Sequence, residues 1–184
     1  MMDEIATRVE AACKAETNVF GAGIWPYHIV SVVKFGKHLA ERMDADVEIV
    51  ELAALLHDYA GIVNHEFEAE HHVHGARLAE SILRAYDYPP ERIQAVQHCI
   101  LSHRASQTIA RETIEAEIVA SADAMAHFDN VPSLLHLAFA RRGMGIEAGS
   151  QWVLGKLGRS WNKLLPEARV MLEAHYEAIQ QVLN

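Results

Sequence analysis

Apolar residues recur every three or four positions along most of the chain, the spacing of amphipathic helices. The first such segment places Ile5, Val9 and Ala12 on one face, with Asp3 positioned to cap it. A loop through Gly21-Ala22-Gly23 ends near Pro26, where a second helix can start and run through HIVSVVKFGKHLAERM. Asp44 or Asp46 caps the next segment, VEIVELAALLH, which is apolar on most sides after its first turn and is expected to be central. His57-Asp58-Tyr59-Ala60 follows, with Gly61 as the expected stop. The polar stretch NHEFEAEHHVH leads into GARLAESILRAY, the YDYPPE turn breaks the chain, and Pro90 opens ERIQAVQHCILSH. IEAEIVASADAMAHF reads as a further helix, and Pro132 or Ser133 starts LLHLAFARR. GMGIEAG then separates two last helices around WVLGKLGRSWNKLL and PEARVMLEAHYEAIQQVL. Runs of alternating β-branched residues and Asn-Gly hairpin signals are missing. The expected fold is all-α, a compact helical bundle.

The 184 residues suffice for one domain, 1–184, with a real core. The formal charge of −9, with histidine neutral, argues against non-specific coating of nucleic acid. It leaves a small phosphorylated substrate open, because a metal ion inverts the local field. Cys13 and Cys99 lie far apart and form no CxxC zinc pattern or disulfide scaffold. The N-terminal stretch is charged and amphipathic, and no segment approaches the roughly 20 apolar residues that span a bilayer. The expected location is the cytoplasm.

Twelve histidines change the picture. His57 and Asp58 end a buried helix, and a charge buried there needs mutual hydrogen bonds or a metal ion. Asp123 sits in an apolar helix, where aspartate has poor propensity and needs a special partner. His28 lies near the start of the second helix, behind Trp25-Pro26-Tyr27. His71, His72 and His74 cluster before GARLAESIL, and His98 and His103 fall in VQHCILSHRAS. Positions 98 and 103 are about 140° apart on an ideal helix, so one ion does not take both without distortion. His65-Glu66 opens no HExxH motif, because position 69 is alanine.

A histidine, a His-Asp pair about one helix later, and a distant aspartate in an apolar helix together resemble the HD superfamily of metal-dependent phosphohydrolases. YHIVSVVKFGKHLA resembles that family's first helix, LAALLHDYAG its His-Asp helix end, and IVASADAM its final aspartate motif. The resemblance covers roughly residues 24–130. It implies a divalent transition metal (iron, manganese, zinc or similar) held by His28, His57, Asp58 and Asp123. Asp58 would also orient the attacking water. Some members insert two further histidines that hold a second ion. By context these are His71 and His103, with His98 as rival to His103 and with His72 and His74 as rivals to His71. Mixed N/O ligation with open positions suits phosphoryl chemistry through a metal-activated water.

The implied activity is hydrolysis of a nucleotide or other small phosphate ester. Arg104, which follows His103, and Arg77, beyond the histidine cluster, are candidates to hold its phosphate. The same six ligands in some relatives hold two irons that activate oxygen, so an oxygenase is one alternative. A non-catalytic binding module with the same fold is the other. Many family members carry a lysine three residues after the aspartate; here that position is Gly61, so the lysine's role does not carry over. Beyond the resemblance, Trp152, Leu154, Leu157 and Trp161 form an apolar stripe that suits core packing or a homodimer face. GMGIEAG reads as an exposed turn, with a lid over the site as the alternative.

Overall fold

The structure is a computed structural model that describes residues 1–104 and 109–183, and the described residues form helices with no strand. Helix α1 spans Met2–Lys14. A wide π-type turn, Trp25–Ile29, runs directly into α2, Val30–Arg42. Helices α3 (Val47–Leu56) and α4 (Tyr59–Val63) are separated by a short break. A 3-10 segment, His65–Glu70, leads into α5, His71–Arg84. Then come α6 (Pro90–Ser102), α7 (Ile114–Asp129) and α8 (Val131–His136). A second wide turn, Leu137–Arg141, precedes α9 (Ile146–Asn162) and α10 (Pro166–Leu183). None of the helices is long and apolar enough to cross a membrane, among the described residues.

Helix α3 is the axis of the bundle. Ile49, Val50, Leu52, Ala53, Ala54, Leu55 and Leu56 are all buried, as its nearly continuous apolar run requires. It packs against α2, α6 and α7, while α5 packs on α6 and α2 on α7. Of the two expected caps, Asp46 serves: its carboxylate accepts from the Ile49 N–H at 3.1 Å. Asp44 instead takes a left-handed turn conformation, φ 54°. Arg92 of α6 ties this helix start down, with 2.7 and 3.0 Å bonds to Asp46 and a 2.7 Å bond to Glu48. Helix α7 is buried from Ile118 through Phe128, and its many alanines let neighbours approach on all sides. Pro90 opens α6 as expected.

Two local expectations change. Asp3 lies in the first turn of α1, which starts at Met2, so the segment's cap is Met1 without a side-chain bond. Gly61 does not stop α3. That helix ends at Leu56 because Asp58 turns to φ −103°, ψ 0°, and Gly61 sits buried inside α4. Part of the apolar stripe near the C-terminus packs within the chain: Leu157 is buried, and Trp161 stacks on Tyr176 with centroids 4.4 Å apart. In GMGIEAG, Gly143 makes a left-handed turn at φ 63°, and Ile146 already belongs to α9.

Gly36 sets how closely α2 approaches α3, since an added Cβ would lie 2.9 Å from Val50 Cγ1. Helix propensity alone would favour alanine at this position by about 1 kcal/mol. Gly36→Ala is nevertheless expected to destabilise by about 1–3 kcal/mol through overpacking. Urea unfolding reads the sign directly, and a raised midpoint would show slack between the two helices.

Candidate metal centre

Five separate pieces of backbone bring the chemistry together. The wide turn before α2 supplies His28, and the α3/α4 break supplies His57 and Asp58. The start of α5 supplies His71, the residue capping α6 supplies His103, and the middle of α7 supplies Asp123. Gly75 lets α5 come in close: a Cβ there would meet Ile100 Cγ2 at 3.2 Å and the His57 carbonyl at 3.4 Å.

Three of these histidines are oriented in the same way. The Nδ1–H of His57 donates to the Ala54 carbonyl at 2.8 Å, that of His71 to Glu68 at 2.8 Å, and that of His103 to Ile100 at 2.6 Å. A carbonyl only accepts, so each Nδ1 carries the proton and each Nε2 faces the centre. There His28 Nε2 lies 3.2 Å from His57 Nε2, and His71 Nε2 lies 3.2 Å from His103 Nε2.

Asp58 sits between the two pairs. Its Oδ2 lies 3.4 Å from both His28 Nε2 and His57 Nε2. Its Oδ1 lies 3.3 Å from His71 Nε2 and 3.9 Å from His103 Nε2. Asp123 Oδ1 faces the first pair, 3.4 Å from His28 and 3.9 Å from His57. Lone pairs and carboxylates that converge at such distances repel unless positive charge lies between them. His28, His57 and Asp58 form one group able to hold a metal ion, and Asp58, His71 and His103 form another.

The titration shifts express the same demand. Burial pushes the His57 pKa down, but the Asp58 and Asp123 carboxylates outweigh it and raise the pKa to about 9. Burial, then His57 and His71, hold His103 well below its ordinary value, so it stays neutral with a free lone pair. Burial would raise Asp58, yet the surrounding histidines keep it well below the usual carboxylate range. Asp123 is likewise depressed against burial, first by Lys163 and then by His127.

The rival histidines lie elsewhere. His98 Nε2 accepts from the Glu112 N–H at 3.0 Å, and His74 stacks on Phe67 with centroids 4.0 Å apart. His72 is buried with its Nδ1 unpartnered, and it forms no group with Asp58 among the described residues. Arg104 lines a cavity beside the centre and donates to the Ala69 carbonyl. Arg77 does not join it: the side chain sits on the exposed face of α5 and lines neither of the cavities at the centre.

Several contributors escaped sequence reasoning. His127 stacks on His28 with centroids 5.1 Å apart, and its Nε2 lies 3.7 Å from Asp123 Oδ1. Ser160 of α9 contacts its other nitrogen at 2.9 Å. The spacing of four between Asp123 and His127 on an apolar helix was the available signal. Lys163 carried none: it follows α9, is buried, pairs with Asp123 Oδ2 and donates to the His103 carbonyl at 3.0 Å.

Two cavities open from the centre, of about 730 and 520 Å3. The larger is walled by apolar side chains including Phe20, Ile24 and Leu134. The smaller is rich in cations, including Arg104, Arg142, Lys156 and Arg159. Both are within the size range of small-molecule sites.

An all-helical scaffold with a mixed histidine and aspartate centre defines the class, and the sequence comparison agrees. The HD domain profile matches residues 27–127, and the chain belongs to the HD domain family. Ribonuclease Y of Chloroflexus aurantiacus is 32% identical over 98 residues, 53% of this chain but 17% of that protein. Ribonuclease Y of Rubrobacter xylanophilus is 28% identical over 141 residues, 67% of this chain and 26% of that protein. The chain thus spans only a small part of these relatives. Among solved structures, Bacillus subtilis YpgQ in complex with ADP superposes with a TM-score of 0.73 at 21% identity, covering 100% of this chain and 94% of that one. The Lin1889 protein from Listeria innocua gives 0.70 at 18% identity, covering 100% and 93%. At these identities the likeness is one of fold.

The raised His57 value fixes the sign of a pH effect. A proton on that ring competes with a cation, so divalent metal affinity is expected to rise with pH up to about 9 and then level off. Calorimetry of manganese binding in buffers of different ionisation enthalpy should register the released proton. An affinity flat between neutral pH and 9 would contradict the assignment.

Proposed function

We propose that this chain is a metal-dependent phosphohydrolase acting on a nucleotide or another small phosphate ester. The observation that carries this reading is the placement of Asp58, whose two carboxylate oxygens each face a separate histidine pair. His28, His57, Asp58 and Asp123 would hold a first divalent transition metal. Asp58, His71 and His103 would hold a second. Such an ion lowers the pKa of water and polarises a phosphoryl oxygen.

The chain's own residues supply the rest. The backbone carbonyls of Ala54, Glu68 and Ile100 fix the three imidazoles in the tautomer that ligation needs. Lys163 occupies Asp123 Oδ2 and leaves Oδ1 turned to the centre. The apolar cavity can exclude water around an organic group, while the cationic one can receive phosphate oxygens, with Arg104 at its wall. The cavity volumes are within the range that takes a small organic phosphate. The ADP bound to YpgQ supports a nucleotide. The free, buried Cys13 and Cys99, whose thiols burial pushes up to about 12, suit the cytoplasm.

Hydrolysis of p-nitrophenyl phosphate or nucleotides with added manganese, run with and without oxygen, tests this. Equal rates in both support the hydrolase, and a requirement for oxygen with two bound irons favours the oxygenase. Asp58→Ala is expected to lower the metal content of both positions and to cut activity by about 100-fold or more. His71→Ala should lower the metal content by no more than one equivalent. A wild-type chain free of metal and inactive on every phosphate ester would sink the reading.

A further inference from the structure

The phosphohydrolase reading needs a cation that meets the substrate's charge, and the structure offers a specific one. Lys156 of α9 lines both cavities, as do Asp58 and His127 of the centre, so the residue borders both spaces beside the centre. The other cations of the smaller cavity are largely committed. Lys163 pairs with Asp123, Arg142 bonds Glu68 at 3.0 Å and covers Trp152, and Arg104 donates to the Ala69 carbonyl. Arg159 is exposed at the rim. Lys156 is half-buried and makes no hydrogen bond or close ion pair among the described residues, although it feels the Asp123 and Asp58 carboxylates at longer range.

We propose that Lys156 binds the phosphate of the substrate from α9, in the cavity that Arg104 and, from α4, Gly61 also line. The proposal rests on the phosphohydrolase reading above. Gly61 lines the smaller cavity together with Lys156. A Cβ added at Gly61 would meet nothing nearer than His71 Cβ at 3.6 Å, so the position accepts a Cβ without a clash. Charge balance points the same way. Lys163 already offsets Asp123, and a divalent cation held at the centre would more than offset Asp58. The Lys156 charge is then surplus until an anion enters. Burial also pushes the Lys156 pKa down, the cost that a desolvated cation recovers when it meets a charged acceptor.

The test titrates inorganic phosphate into the manganese-loaded full chain and follows p-nitrophenyl phosphate kinetics. Lys156→Met is expected to weaken phosphate binding about 10-fold or more and to raise KM, with metal content and Tm unchanged. Lys156→Arg should stay within about 3-fold of wild type, because it keeps the charge. Gly61→Lys added to Lys156→Met should restore much of the lost affinity. Lys156→Gln serves as the second neutral variant where the methionine form does not fold. Wild-type phosphate affinity in a folded, metal-loaded neutral variant overturns the proposal while leaving the phosphohydrolase reading intact. Absent restoration by the lysine at 61 overturns the shared place of the two positions. A metal-loaded wild type that binds no phosphate overturns both readings together.

Discussion

Everything near the centre depends on a need for positive charge between the α3/α4 break and α7. Two carboxylates and at least three imidazole lone pairs are aimed at one another across 3.2–3.9 Å. Bringing such groups together is costly unless a cation or a proton lies between them. The raised pKa of His57 and the ammonium of Lys163 on Asp123 both express that need. A divalent cation would answer the same demand with more charge.

The fold is arranged to hold that tension. Asp58 lies where α3 breaks into α4, so one carboxylate can face both histidine pairs. Helix α3 is anchored at its other end by Asp46 and Arg92, and Gly36 and Gly75 allow α2 and α5 to close on it. Helix α7 carries Asp123 and His127 through an otherwise apolar interior. Helix α9 and the residues after it then close the centre from outside the region that the HD domain profile matches.

Much of this was legible in the sequence, and for physical reasons. Helical periodicity, Pro90 and the apolar runs of α3 and α7 are local signals, and they specified the helices well. The six residues at the centre could be named because their order and neighbours resemble a known pattern, and the structure brings all six together. The choice of His103 over His98 depends on which face α6 buries, and spacing alone left that open. Lys156 and Lys163 lie in an ordinary amphipathic stretch whose return to the centre is set by tertiary packing, so no local pattern marked them. Gly61 was misread because glycine after an apolar run usually ends a helix, whereas here the turn occurs at Asp58. Arg77 and Arg104 looked alike in sequence, and only the direction of α5 separates them.

The most direct test of the central claim is an anomalous diffraction map from a manganese-soaked crystal. The account predicts a peak among His28, His57, Asp58 and Asp123, and a second on the far side of Asp58 beside His71 and His103 when that position fills. A map with no peak touching Asp58, with the six side chains in place and manganese in the crystal, would contradict it.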